Sequence, residues 1–116
     1  MELNDDPSFL VIPGAEYHTD SGDVIGLFLH REITDRRPEE VVAQIHEQGG
    51  IAMLPHPWKG HRDTERLATL CDIVEGWNAR TDPESNVRAT SLATQVGKPV
   101  VAGSDAHFAF EIGTCR

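Results

Sequence analysis

Short apolar runs alternate with helix-forming segments along this chain of 116 residues, and the alternation limits the folds open to it. Turn residues or glycine and proline bound several of the apolar runs, as is typical of buried strands. The predicted strands are residues 9–12, 24–29, 51–54, a strand centred on 73–74, and 99–102. Helices are predicted from Pro38, over 64–70, and from the Asp82-Pro83 cap to Gly97. This pattern predicts a parallel α/β architecture in one domain.

The chain is acidic, with ten basic residues against nineteen acidic ones and a formal net charge of −9. Such a surface repels phosphate backbones and anionic lipids, so we expect no nucleic-acid or membrane binding through a basic face. No apolar run approaches the ~20 residues of a membrane helix, and the amino-terminal residues lack the pattern of a signal peptide. Cys71 and Cys115 are predicted to be free thiols. We therefore expect a cytoplasmic protein.

Carboxylate and imidazole side chains follow several of the predicted strands. Glu16 and His18 come after the first strand, His56 after the third, and Asp105 and His107 after the last. Because ligands gather at the carboxyl ends of strands in parallel α/β folds, we expect these side chains to converge. Asp105 and His107 are two residues apart, so in extended backbone they project from one face. A bound cation offsets the cost of burying such groups, and the sequence therefore predicts a metal site.

Taken singly, each of these residues has a simpler interpretation. A histidine after a strand, such as His56, is more often hydrogen-bonded within the protein than bound to a metal, and Glu16 alone is typical of an exposed loop. Glu75 faces outward along its strand as readily as inward and is not included in the predicted site. His30, His46 and His61 are predicted to face solvent, and Trp58 and Trp77 to lie in the core or at its rim.

Three basic residues are candidate contacts for a substrate phosphate. Lys59 and Arg62 lie in the loop shortly after His56, and Arg80 lies just beyond another strand end. An acidic protein needs local positive charge to receive a phosphate, and arginine can hold one through two parallel hydrogen bonds. Exposure to solvent without such a contact is the alternative interpretation for all three.

Six segments of the chain carry motifs in a fixed order: 11–16, 26–29, 45–50, 55–57, 74–80 and 103–107. With their Gly-x-Glu, His-Pro and Ser-Asp-Ala-His sequences, they resemble the PHP (polymerase and histidinol phosphatase) domain superfamily. The resemblance implies the carboxyl-terminal part of a distorted (β/α)7 barrel with mainly parallel strands, which holds two or three divalent ions and hydrolyses phosphoesters. It also implies that Glu16 bridges two metals, and that His56 binds one of them, Asp105 another and His107 a third.

The chain departs from the family's pattern at two points. The family's first motif, His-x-His, occurs nowhere in the sequence, so residues 1–116 are interpreted as a single, partial PHP-like domain. Many members also place a metal-binding histidine just before the strand that here holds Gly26, and this chain has Asp23 there. Asp23 and the nearby His18 are both candidate replacements, and the sequence does not choose between them.

The resemblance implies hydrolysis of a small phosphorylated substrate by a metal-activated water. Mixed histidine and carboxylate ligands favour zinc, manganese or iron over magnesium. The alternative is a catalytically silent metal-binding or interaction module derived from a PHP domain, which the missing first motif favours. Part of a barrel exposes sheet edges and an apolar flank, so we also expect a homo-oligomer.

Overall fold

A computed structural model describes residues 6–115. Residues 1–5 and residue 116 lie outside the described part. Residues 1–5 belong to the amino-terminal stretch that the sequence predicts not to be a signal peptide. The elements are β1 Gly14–Thr19, β2 Gly22–Leu27, α1 Pro38–Glu47, β3 Ile51–Leu54, α2 Thr64–Leu70, β4 Ile73–Asn78, α3 Pro83–Val96, β5 Val100–Gly103 and a short 3-10 helix, Ala109–Glu111. The chain therefore has a mixed α/β fold.

The five strands form one sheet in the order β1-β2-β3-β4-β5. β2 runs antiparallel to both of its neighbours, whereas β3, β4 and β5 run parallel to one another. Only the turn at Asp20 and Ser21 separates β1 from β2, which is far too short for the crossover that parallel strands need. The sheet is therefore mixed, and the prediction of mainly parallel strands describes its β3-β5 part and not the β1-β2 hairpin.

The first strand lies later in the chain than its apolar run predicts. Residues 9–12 form no strand, Phe9 and Leu10 are exposed, and β1 begins only at Gly14. β1 pairs with β2 over its whole length, from Gly14 opposite Leu27 to Thr19 opposite Gly22. Hairpin register thus decides where the strand lies. As a result, Glu16 lies within β1 and not after it.

The three helices form where the sequence predicts them. α1 begins at Pro38, whose fixed φ suits the first helical turn. α3 begins after Asp82, whose side chain accepts a hydrogen bond from the Ser85 N–H at 2.8 Å, and it ends at Gly97 in a left-handed conformation. Within residues 6–115 no helix has the length and apolar character needed to cross a membrane.

The helices cover one face of the sheet. Fully buried strand residues on this helix-covered face pack against apolar residues of all three helices; they are Val24, Ala52, Leu54 and Val74. Alternate residues project from the other face, which we call the open face, and the apolar ones among them are only half-buried; examples are Ile25, Met53, Ile73 and Val101. The described residues place no helix over this second face.

Candidate metal centre

Glu16, Asp23 and His56 come together on the open face. One ligand atom of each lies within 4.8 Å of the others. His56 Nε2 is 3.5 Å from Glu16 Oε1 and 3.9 Å from Asp23 Oδ2. One imidazole nitrogen facing two carboxylates is a mixed donor set that suits zinc, manganese or iron. The residues present therefore fit a divalent cation.

The β1-β2 hairpin positions both carboxylates. In its register Glu16 lies opposite Ile25 and His18 lies opposite Asp23, so these side chains share one face. Because β2 runs against β3, the amino end of β2 lies beside the carboxyl end of β3, where His56 follows. Asp23 thus reaches the site from the beginning of a strand, while the other ligands come from strand interiors or ends.

His18 lies on the outer side of this cluster. Its Nδ1 contacts Asp23 Oδ1, and its side chain is 79% exposed. The hydrogen bond to Asp23, reinforced by the charge of that carboxylate, raises the pKa of His18. Of the two residues between which the sequence did not choose, the structure brings Asp23 into the cluster and leaves His18 hydrogen-bonded to it.

His56 is the most enclosed member of the cluster. It follows β3 with a left-handed φ of +25° and its side chain is only 8% exposed. Its Nδ1 is buried and has no hydrogen-bond partner within the described part of the chain. A buried nitrogen without a partner is uncommon in folded proteins. The other ring nitrogen, Nε2, faces the two carboxylates and is the atom that His56 offers to a cation.

His61 packs against His56, a contact that the sequence analysis missed. The two ring centroids are 5.6 Å apart, and His61 Nε2 is 2.9 Å from the backbone oxygen of Asp23. Gly22 leaves room for this ring, since an added Cβ would lie 2.5 Å from it. The prediction that His61 faces solvent is therefore wrong, because its ring is half-buried, whereas His30 and His46 are exposed as predicted.

Asp105 does not belong to the cluster but lines a cavity with two of its members. The cavity has a volume of about 170 Å³, and Glu16 and His56 also line it. Asp105 follows β5 with a left-handed φ of +51°, and its Oδ2 accepts a hydrogen bond from Asn78 Nδ2 at 3.2 Å. Three of the predicted ligands therefore share one cavity.

Glu75 also lines this cavity, although the sequence analysis left it out of the site. Its side chain is buried, and Oε2 accepts hydrogen bonds from the His56 N–H and from Asn78 Nδ2, each at 2.9 Å. Strand periodicity could have found it, since Glu75 follows the core residue Val74 and so projects from the opposite face.

His107 lies outside the cluster of Glu16, Asp23 and His56. Its side chain is 57% exposed, and Nδ1 is hydrogen-bonded to the backbone oxygen of Asp105 at 2.7 Å. Its predicted role as a ligand stays a prediction.

Comparisons with known proteins found a family model, a solved structure and two curated relatives that are similar to this chain. Residues 83–116 match the family model described as "PHP-associated". A solved two-domain protein from Bacteroides vulgatus, which contains a predicted PHP-like metal-dependent phosphoesterase, matches the fold with a TM-score of 0.65 and 19% identity over 84% of this chain and 32% of that one. Residues 83–116 are thus similar to a PHP-associated family, and the fold is similar to that of a protein with a PHP-like part.

Two relatives of this chain come from Methanocaldococcus jannaschii. The uncharacterized protein MJ0417 is 34% identical over 114 residues, which covers 88% of this chain and 48% of that protein. The uncharacterized protein MJ1587 is 47% identical over 49 residues, which covers 41% of this chain and 29% of that protein. The chain thus spans about half the length of MJ0417 and less of the other two proteins.

The predicted phosphate contacts differ in whether they share a cavity with the candidate metal centre. Arg62 lines a cavity of about 370 Å³ together with Asp23, His18 and Arg36, an arginine that the sequence analysis did not single out. Arg80 donates to both carboxylate oxygens of Glu111, at 2.7 and 2.9 Å. Lys59 is exposed. Arg62 is therefore the predicted contact that shares a cavity with a residue of the cluster.

Proposed function

We propose that this chain forms part of the metal centre of a phosphoesterase that hydrolyses a small phosphorylated substrate. The convergence of Glu16, Asp23 and His56 beside the cavity of Asp105 carries this proposal. The PHP-type matches support it, as does the fold shared with a protein that contains a predicted metal-dependent phosphoesterase. When bound, divalent cations supply an activated water and stabilise negative charge on the phosphoryl oxygens.

Each side chain has a distinct part in the proposal. Glu16 belongs to the cluster and also lines the cavity of Asp105, and both observations support a role for it in binding two ions. Asp23 and His56 would hold the first ion and Asp105 the second. His107 would join after its ring leaves the backbone oxygen of Asp105. With an imidazole in the donor set, zinc, manganese or iron is the expected metal.

Arg62 is the residue we propose for capture of the substrate phosphate. It lines the cavity that adjoins Asp23, and Arg36 supplies a second guanidinium there. Arg80 would first have to leave Glu111, and Lys59 would have to fold in from the surface. A guanidinium close to the metal centre offsets the repulsion that a net charge of −9 imposes on a phosphate.

We further propose that the five strands are part of a distorted (β/α)7 barrel. Placement of the helices on one face supports this, because the half-buried open face would then form the barrel interior. The sequence lacks the His-x-His motif of the family, so we expect this chain alone to hold fewer ions than a whole PHP domain.

A catalytically silent metal-binding module is the second candidate. The exposure of Glu16 and His18 on the outer side of the cluster favours it, because an open site holds its ligands and substrate less firmly. Such a module would bind a cation without turnover.

For the location of the protein, we propose the cytoplasm. Both Cys71 and Cys115 are free thiols, the state that a reducing compartment maintains.

Metal binding and hydrolysis, measured on one preparation, test the proposed function. Manganese and zinc are titrated calorimetrically into the metal-free chain, with Asp23→Asn and His56→Ala as variants. His46→Ala is the matched control, because His46 also contacts a carboxylate, Asp72, but lies away from the cluster. We expect the two cluster variants to lose affinity and the control to retain it. Absence of binding by the unaltered chain would refute the metal centre, and any hydrolysis of an aryl phosphate that both cluster variants lose would favour the phosphoesterase over the silent module.

A further inference from the structure

Glu75 and Asn78 connect the two strand ends that carry His56 and Asp105. Both belong to β4, which lies between β3 and β5 in the sheet, so their side chains can reach both neighbours. We infer that this pair positions His56 and Asp105 for metal binding. The inference rests on the proposed metal centre, and it concerns residues to which the family resemblance gave no role.

Three hydrogen bonds form the connection. Glu75 Oε2 accepts from the His56 N–H at 2.9 Å and from Asn78 Nδ2 at 2.9 Å. Asn78 Nδ2 also donates to Asp105 Oδ2, at 3.2 Å. A continuous path thus runs from the backbone of one proposed ligand to the carboxylate of another.

The backbone at both proposed ligands needs such support. His56 has a φ of +25° and Asp105 a φ of +51°, conformations that non-glycine residues adopt infrequently. Such conformations persist only where surrounding contacts hold them. The bond from Glu75 to the His56 N–H acts directly on the first of these backbones, and the bond from Asn78 fixes the side chain of the second.

Asn78 is itself held on every side. Its side chain is buried, its N–H donates to Asn86 Oδ1 at 2.9 Å, and Asn86 Nδ2 donates to its carbonyl oxygen at 3.1 Å. The Arg80 N–H donates to Asn78 Oδ1 at 2.8 Å. Because Asn86 lies in α3, the pair is anchored to the helix-covered side of the sheet. A network with its partners satisfied in this way is rigid.

Gly103 offers a way to disturb Glu75 without changing any member of the network. A Cβ at Gly103 would lie 2.5 Å from Glu75 Oε1, so Gly103→Ala must displace the carboxylate. The close approach also explains why β5 ends on a residue without a side chain.

Asp72 is a matched control for Glu75, because it is a carboxylate with similar contacts that lies away from the cluster. Its Oδ2 accepts a hydrogen bond from the Ala52 N–H at 2.7 Å and contacts His46 Nε2 at 2.8 Å. Like Glu75, it joins the backbone at β3 to a second side chain, but it lies just before β4, away from the cluster. A carboxylate that only stabilises the fold should behave as Asp72 does.

The experiment compares Glu75→Ala, Glu75→Gln, Gly103→Ala and Asp72→Ala in the full chain. Manganese affinity is measured by calorimetry, and exchange of the His56 amide is measured by NMR without metal. We expect Glu75→Ala to lose about 10–100-fold in manganese affinity, the range seen when residues that orient metal ligands are removed. Gly103→Ala should lose affinity as well. Glu75→Gln should recover much of it, because its amide oxygen still accepts the His56 N–H. Asp72→Ala should lower the melting temperature and leave manganese affinity unchanged.

The amide measurement separates this inference from the proposed function. If the unaltered chain binds no manganese, the metal centre fails, but the His56 amide should still exchange about tenfold faster in Glu75→Ala, because its acceptor is gone. Unchanged exchange, or unchanged manganese affinity in a folded Glu75→Ala variant, would overturn the positioning role. If Glu75→Ala does not fold, Gly103→Ala and Glu75→Gln decide by the same two measurements.

Discussion

The same strands form both faces of the sheet, but the side chains on the two faces differ in burial and charge. On the helix-covered face, Val24, Leu54 and Val74 are fully buried in one apolar cluster. On the open face, Asp23 and Glu75 lie among half-buried apolar side chains. Because side chains alternate along a strand, one strand serves both purposes through neighbouring residues. Two substitutions only one residue apart along a strand should therefore affect different properties, one the stability of the fold and the other the candidate metal site.

The largest expected effect compares Leu54 with its neighbour Met53. Leu54 is fully buried on the helix-covered face, whereas Met53 is half-buried on the open face. We expect Leu54→Ala to lower the free energy of unfolding by about 2–5 kcal/mol, since it removes buried area and leaves a cavity. Met53→Ala should cost clearly less. Urea denaturation measures both, and equal losses would show that the open face is packed as tightly as the other.

The next prediction concerns the candidate metal site on the open face, in a sequence without a His-x-His motif. A misplacement of about 1 Å can cost about 100-fold in rate, so a centre that lacks a whole motif should lose more than that. We therefore expect hydrolysis of an aryl phosphate by these 116 residues, with manganese or zinc, to lie near background. Rapid turnover that Asp105→Ala abolishes would contradict this and would show that a complete site assembles without His-x-His.

A smaller loss of stability is expected when the Asp72 carboxylate is protonated at low pH. Partial burial alone would raise the pKa of this carboxyl, but hydrogen bonds from Ala52 and His46 hold it below its ordinary value. The unfolded chain therefore binds this proton more readily, so the stabilisation is present above the ordinary pKa and is lost as pH falls through the lowered one. We expect Asp72→Asn to lower stability by less than about 1 kcal/mol at neutral pH, since the carboxylate is partly exposed.

Unfolding curves of both proteins between neutral and acidic pH check this prediction. The difference between the unaltered chain and Asp72→Asn should shrink as the pH falls. A constant difference would mean that the asparagine disturbs packing and that the carboxylate charge has no part in the effect.

The smallest effect concerns the thiols. Burial in the core raises the pKa of Cys71 to about 12, so at pH 8 this thiol is protonated and enclosed. Cys115 is only half-buried. We expect a disulfide reagent to modify Cys115 alone in the folded chain and both thiols in urea. Fast reaction of Cys71 under native conditions would show that the helix-covered face opens.

Local sequence features predicted much of the fold. α1 begins at Pro38 because proline restricts φ to a helical value, and α3 ends at Gly97 because glycine permits a left-handed conformation. The predicted bounds of α2 and β3 are confirmed. β1 lies later in the chain than the apolar run at residues 9–12 predicts, because an apolar run does not contain the pairing register that decides where a strand lies. Tertiary pairing overrode the local pattern there.

The candidate site was predictable only in part. His56 and Asp105 follow strands and were found by that rule, and both line the cavity. Asp23 lies at the beginning of β2, which runs antiparallel to its neighbours, so the same rule does not reach it. Only the family resemblance indicates Asp23. The Arg80–Glu111 pair joins residues that are far apart in sequence, and no local pattern predicts such a contact.

The short turn between β1 and β2 has a consequence for the chain entropy of the site. Glu16 and Asp23 meet through this turn, so bringing them together costs little chain entropy, whereas their contacts with His56 span the intervening loop and α1. Closing a longer loop adds only about 0.6 kcal/mol per doubling, so these longer-range contacts depend on the packing of α1 and β3 more than on chain length. The two carboxylates are therefore neighbours through local hairpin pairing, and the imidazole joins them through the packed sheet.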